Sequence, residues 1–211
     1  MNERLDEAAP SPLHDGFHMP AEWEPHRRTW MCWPARRECF GGADAMLRAK
    51  QAYARVARAI SAFEPVTIAA RASETAEAKL ATGGKADIVD MAIDDSWARD
   101  SGPTFLKDAH GRIAGVQFVF NAWGRKYQPY ANDASFARRV LEMSGQHVYR
   151  APFVCEGGAL HSDGQGTLLT TEQCLLNPNR NPDMKRADME ELLKLHLGAR
   201  KVIWLGAGFS D

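Results

Sequence analysis

Residues Thr104–Phe120, TFLKDAHGRIAGVQFVF, decide how the rest of the chain is read. Two runs rich in apolar and β-branched residues flank Ala109-His110-Gly111, the pattern of a strand, a tight turn and a returning strand. After a loop, Phe136, Val140 and Leu141 recur at helical spacing, which predicts a helix from about 133 to 143. Gly145 follows, and then the strand-like HVYRAP (147–152). The same order returns downstream: GALHS (158–162), the turn DGQG (163–166), the strand TLLTTE (167–172) and the loop NPNRNP (177–182). A helix follows from about 184 to 197, marked by Met189, Leu192, Leu193 and Leu197, then Gly198 and the strand KVIWLG (201–206). In both units a glycine falls just past the helix, where a left-handed residue ends it. Val148 and Val202 open the matching strands, 54 residues apart. The chain therefore reads as α/β, built from repeated ββαβ modules.

Two acids keep step with the repeat. Asp100, in SWARDSGP (96–103), precedes the first unit, and Glu156, in APFVCEGG (151–158), precedes the second. Modules arranged about an axis bring equivalent strand ends together, so Asp100 and Glu156 are expected to face one cavity. The segment 26–70 fits the same plan more loosely. TWMCW (29–33) reads as a buried strand and VTIAA (66–70) as another. Between them lies a helix whose apolar face is expected to hold Met46, Ala49, Tyr53, Val56, Ile60 and Phe63, with Asp44 as N-cap and Pro65 as stop. A shorter helix is expected from Ser73 to Ala81, before Gly83-Gly84, and the alternating ADIVDMAI (86–93) leads into SWARDSGP.

Composition narrows the class. A 211-residue chain with 45% hydrophobic and 25% charged residues has the make-up of a soluble globular protein, long enough to bury roughly two-thirds of its unfolded surface. A net charge of −1 argues against a nucleic-acid binder, which needs a basic face. No apolar run reaches the roughly 18–20 residues of a membrane span, and the acid- and proline-bearing N-terminus is unlike a signal peptide. A cytoplasmic location is the expectation, and a homo-oligomeric state is left open. Residues 1–18 are expected to form a disordered tail ahead of one domain, 19–211. Cys32, Cys39, Cys155 and Cys174 form no CxxC pair, so buried free thiols are expected, with no metal.

The constellation suggests a ligand. A guanidinium is planar, cationic and carries its donors in a fork that a carboxylate holds bidentately. Trp97, beside Asp100, and Trp123, in FNAWGRKY (120–127), are placed to cover such a cation by a cation–π contact. The plainer alternatives are that Asp100 is a turn aspartate with Arg99 its solvated neighbour, that Glu156 merely ends a strand, and that each Trp is core. His161, in HSDGQG, reads as a hairpin residue.

MPAEWEPHRRTWMCWP (19–34), DDSWARDSGP (94–103), FNAWGRKY and EGGALHSDGQGTLLTTEQCLLNPNRNP (156–182) together resemble the agmatine deiminases and their relatives, the bacterial-type peptidyl-arginine deiminases. The resemblance runs from about 19 to 206. It implies a pentein fold of ββαβ blades around a pseudo-fivefold axis, with about three of the family's five blades in this chain. It implies hydrolysis of agmatine to N-carbamoylputrescine and ammonia, a step toward putrescine, by a cysteine thiolate and without metal or organic cofactor. Asp100 then matches the aspartate that grips the guanidinium, Glu156 the glutamate that assists binding and proton handling, and Trp97 a site-lining tryptophan. Asp94 and Asp95 are candidates to receive the terminal amine of agmatine. The family's later Gly-His-x-Asp motif and nucleophilic cysteine have no counterpart in these 211 residues, so the chain is expected to be a truncated, inactive form. A peptidyl-arginine substrate and a non-catalytic guanidinium-binding fragment are the alternatives.

Overall fold

The computed structural model describes residues 10–208. Three strands pair in the first unit, β1 (Thr29–Cys32), β2 (Val66–Ala70) and β3 (Asp87–Asp90), side by side in that order and all parallel. Parallel neighbours need a crossover. Helix α1 (Ala43–Ile60) joins the first pair, and a 3-10 turn followed by α2 (Thr75–Ala81) joins the second. Central β2 is buried along its whole length, as VTIAA demands. This unit is therefore βαβαβ and departs from the expected ββαβ plan: no hairpin turn separates β1 from β2, only eighteen helical residues and their flanks.

The next two units match the repeat. In one, β4 (Thr104–Lys107) runs antiparallel to β5 (Ile113–Val119), and α3 (Phe136–Met143) carries the chain to β6 (His147–Val154), parallel to β5. In the other, β7 (His161–Ser162) runs antiparallel to β8 (Thr167–Thr171), and α4 (Arg186–Leu197) leads to β9 (Lys201–Leu205), parallel to β8. Phe136, Val140 and Leu141 on α3 and Met189, Leu192, Leu193 and Leu197 on α4 are all buried, as their spacing predicts. Gly198 closes α4 in the left-handed region at φ 64°, and a Cβ there would lie 2.7 Å from the carbonyl of Phe17. Among the described strands β9 pairs with β8 alone, and Ile203 and Leu205 on it are exposed.

Three details correct the reading of the sequence. The apolar phase of α1 is shifted: Ala54 and Ala57 are buried, whereas Val56 is 49% and Phe63 90% exposed. Tyr53, Ile60 and the two alanines pack on the first sheet, because the helix lies close to β2, where small side chains fit. Gly42, not Asp44, precedes the first turn of that helix. Of the expected tail 1–18, residues 10–18 are packed on the domain. Leu13 N–H and Met19 N–H bond the carbonyls of Leu195 and Leu197, His18 bridges Lys107, and Phe17 joins the core of the second and third sheets. Residues 1–9 lie outside the described residues.

A third cluster couples the units: Cys32 and Ala69 from the first sheet meet Met91, Ile93 and, from α3, Phe136 and Val140. That packing fixes the path of residues 91–103, which carry the first acid. No helix among the described residues is long and apolar enough to cross a membrane.

Candidate active site

Asp100 sits in a single helical turn, Ala98–Ser101, between β3 and β4. Gly102 stops that turn: a Cβ there would fall 2.3 Å from the carbonyl oxygen of Ala98. Glu156 follows β6, and Gly157–Ala159 form one 3-10 turn. The two acid-bearing turns touch. Gly158 N–H donates to Asp100 Oδ1 at 3.1 Å. A Cβ on Gly157 would lie 2.2 Å from the carbonyl oxygen of Arg99, and one on Gly158 would lie 2.4 Å from Asp100 Oδ1. Both glycines after Glu156 are thus required by the approach of the other turn. Arg99 clamps the contact, donating to the carbonyls of Gly157 (3.2 Å) and Leu160 (3.4 Å) and pairing with Glu22 (2.5 Å). It is a strut between units although, as the turn-only reading had it, the side chain is also half exposed to solvent.

The acids differ in what they face. Glu156 is 4% exposed, and its Oε1 accepts a 2.7 Å bond from Arg180 Nε. Arg180 lies in the NPNRNP loop, and sequence reasoning passed over it; an arginine in an otherwise uncharged, asparagine-rich loop was the available signal. Among the described residues Asp100 has no ion pair with its carboxylate. Burial raises its pKa above the ordinary carboxylate value, and the charge of Glu156 adds to the rise. The Gly158 N–H, Arg99 and the Trp123 indole act in the opposite direction.

The two candidate tryptophans converge. Trp97, 41% exposed, meets Trp123 edge to face, with centroids 6.3 Å apart and planes at 90°. Trp123 also packs edge-on against Phe120 (5.3 Å) and Tyr127 (5.9 Å). Its backbone is unusual: Ala122, Trp123, Gly124 and Arg125 all have positive φ, at 52°, 56°, 83° and 64°. The structure thus brings Asp100, Glu156, Trp97 and Trp123 to one place from three segments of chain. A cavity of about 610 Å³ is lined in part by Asn121, Gly124, Tyr130, Asn179 and Arg180, on the side of Arg180 and the Trp123 turn. Asp100, Glu156, Trp97 and Trp123 do not line it, so the cavity that the two acids were expected to share is not the one the structure forms here.

Asp94 and Asp95 are drawn elsewhere. Asp94 accepts from the backbone N–H groups of Asn132 (2.8 Å) and Asp133 and from the Asn132 side chain (2.9 Å), while its own N–H donates to Asp133 Oδ1. That exchange fixes the turn Ala131–Ala134 and makes α3 start at Phe136, later than the spacing predicts. Asp95 accepts from Ser96 N–H and Cys39 Sγ and pairs with Arg36 at 3.3 Å. Arg36 in turn donates to the carbonyls of Gln128 and Pro129. Both aspartates are buried, and their oxygens hold the 128–133 loop. Burial raises the Asp133 carboxyl to about 6, helped by the charges of Asp94 and Asp95.

The cysteines are all free. Burial pushes the thiols of Cys32 and Cys155 well up, and Cys39 is raised to about 12 by burial and by Asp95. Cys174 is half-buried at the turn after β8. His161 is an exposed β7 residue facing Trp23, and Asp163 caps the hairpin turn by accepting from Gln165 and Thr167 N–H. Among the described residues no three His, Cys, Asp or Glu side chains converge to hold a metal ion.

Known proteins are similar to this chain in sequence and fold. The family model for Porphyromonas-type peptidyl-arginine deiminases matches residues 18–211. The chain is 46% identical over 208 residues to an agmatine deiminase of Stutzerimonas stutzeri, covering 95% of this chain and 56% of that protein. It is 47% identical over 207 residues to one of Pseudomonas aeruginosa, covering 94% and 55%. A solved structure titled as agmatine deiminase of Enterococcus faecalis catalyzing its reaction superposes with a TM-score of 0.91 at 38% identity, covering 95% of this chain and 56% of that one. The chain spans about half the length of the relatives it matches. Its three units are those of the pentein fold that these proteins share.

Proposed function

This chain belongs to the Porphyromonas-type peptidyl-arginine deiminase family, and on that premise we propose that it carries the guanidinium-gripping part of an agmatine hydrolase. The reaction is agmatine plus water to N-carbamoylputrescine plus ammonia, a step in putrescine formation, carried out in the cytoplasm. The observation that carries the reading is the contact of the two acid turns under the Trp97–Trp123 pair. In this reading Asp100 receives the guanidinium N–H groups bidentately. The indoles cover the cation's face, worth about 0.5–2 kcal/mol depending on desolvation. Glu156, oriented by Arg180, supplies the second carboxylate and assists proton handling, since the departing nitrogen must gain a proton to leave as ammonia.

Cys32, Cys39 and Cys155 are not set to be the attacking thiolate, and Cys174 matches no nucleophile position of the family pattern. Cys155 is a core residue and Cys39 is tied to Asp95. The chain by itself is therefore expected to bind agmatine and release no ammonia above background. Asp94 and Asp95 serve the proposed site indirectly, by fixing the loop that follows the Trp123 turn, rather than by meeting the amine of agmatine.

Titration calorimetry with agmatine tests this. Binding to the native chain and at least a tenfold loss in Asp100→Asn are expected, because the amide lacks the charge and one acceptor. Absence of agmatine binding, or equal binding by the variant, removes Asp100 from the site. A peptidyl-arginine substrate is the second reading, favoured by the exposure of Trp97. Tighter binding of an arginyl peptide than of agmatine would select it.

A further inference from the structure

Four successive left-handed residues, three of them bearing a Cβ, are costly at about 1–2 kcal/mol each. Such a turn persists only where its surroundings over-determine it. The surroundings here are one side chain and one loop. The Asn121 side-chain oxygen accepts from Gly124 N–H at 2.8 Å, and its backbone carbonyl accepts from Arg125 N–H at 2.7 Å. The same side chain's Nδ2 donates to the carbonyl of Asn179 at 3.0 Å. Gly124 seats directly against Asn179: a Cβ at position 124 would lie 2.6 Å from Asn179 Nδ2. Asn179 Oδ1 then accepts from Arg180 Nη1 at 2.7 Å, and Arg180 Nε holds Glu156.

We propose that Asn121 is a positioning residue that couples the Trp123 turn to the Arg180–Glu156 pair, so that the aromatic and acidic halves of the site are set together. Only a primary amide does both jobs from one side chain, accepting inside the turn and donating across to the loop. An aspartate keeps the acceptor and loses the donor; serine is too short to do both. The bonds border the 610 Å³ cavity, so a broken link admits water between the turn and the loop and frees them to move separately. The role in ligand binding rests on the guanidinium reading above, but the coupling is measurable without any ligand.

The experiment follows the Trp123 indole N–H resonance in the ligand-free protein, identified by its loss in Trp123→Phe. Arg180→Lys is expected to shift that resonance when residue 121 is Asn and to leave it in place in the Asn121→Asp background. A shift of equal size in both backgrounds means that the effect travels through Asp100 instead, and overturns the proposal. Agmatine affinity gives the second reading. Asn121→Asp and Arg180→Lys are each expected to weaken it about tenfold, and the double variant no more than about twofold beyond either. Native affinity in Asn121→Asp, or losses that multiply to about a hundredfold, overturns the coupling. If the native protein binds no agmatine, the guanidinium reading fails and the indole measurement alone decides this one. Should Asn121→Asp not fold, Asn179→Ala replaces it, since it keeps the carbonyl for Asn121 but releases Arg180, and the same uncoupling is expected.

Discussion

The turn at Asp100 and the turn at Glu156 stand at equivalent points of successive modules, 56 residues apart, yet they hold their charges by opposite means. Glu156 is buried against Arg180, an arginine supplied by the loop that leads into α4. Among the described residues Asp100 meets no cation at its carboxylate; it accepts one backbone N–H and is raised in pKa by burial and by its neighbour Glu156. A repeat thus delivers two acids to one place, while the loops between modules decide which is compensated. The uncompensated acid is the one that gains most from a cationic ligand. The partnered one is held in a fixed orientation beside it.

The largest expected effect comes from erasing the difference. Arg180→Met leaves Glu156 buried and alone, which typically costs about 3–5 kcal/mol. Urea titration should show that loss, and native-like stability would mean that Glu156 finds solvent or another donor. Next comes the contact between the turns. Gly157→Ala sets a methyl against the Arg99 carbonyl, a backbone atom that cannot step aside, and overpacking of this kind costs about 1–3 kcal/mol. Agmatine affinity should fall with it, because the two turns are pushed apart; an unchanged affinity would separate the turns' contact from ligand binding.

The smallest effect on stability is expected at Asp100 itself. A carboxyl whose folded pKa is raised binds more protons when folded, so its ionised form costs stability at neutral pH. That cost is relieved as pH falls through the folded pKa toward the ordinary carboxylate value. Asp100→Asn should therefore change neutral-pH stability by less than about 1 kcal/mol, since the amide still accepts from Gly158. It should also remove one upward step from the stability curve as pH is lowered. Thermal melts of the two proteins from neutral pH down to about pH 4 check this. A variant clearly less stable at neutral pH would show that the carboxylate is a structural ion. Agmatine binding to the native chain should weaken over the same range, as the grip on the cation is lost.

Much of this arrangement was legible in the sequence. The hairpin turns, the apolar faces of α3 and α4, the left-handed glycines and the two acids placed ahead of matching hairpins all rest on local chemistry. The helix α1 was legible in period but not in phase, because Ala54 and Ala57 face the sheet only through its closeness to β2. Asp94 and Asp95 looked available for a ligand amine, since apart from Ser96 beside Asp95 their partners are distant in sequence. Asn132, Asp133, Arg36 and Cys39 reach them from tens of residues away. Phe17 and Met19 likewise join a core whose other members lie nearly ninety residues or more along the chain.

By itself, then, the sequence determined what short-range geometry dictates: two ββαβ units and an acid at the head of each, but not the βαβαβ plan of the unit ahead of them. Only the tertiary structure decided that Glu156 belongs to Arg180 and that Asp100 meets no cation among the described residues. It alone put Trp123 on a left-handed turn tied to the same loop. Periodicity and turn chemistry act over a few residues and leave a pattern in the string of letters. Charge compensation and backbone strain are settled by whichever distant atoms the packing brings within about 3 Å.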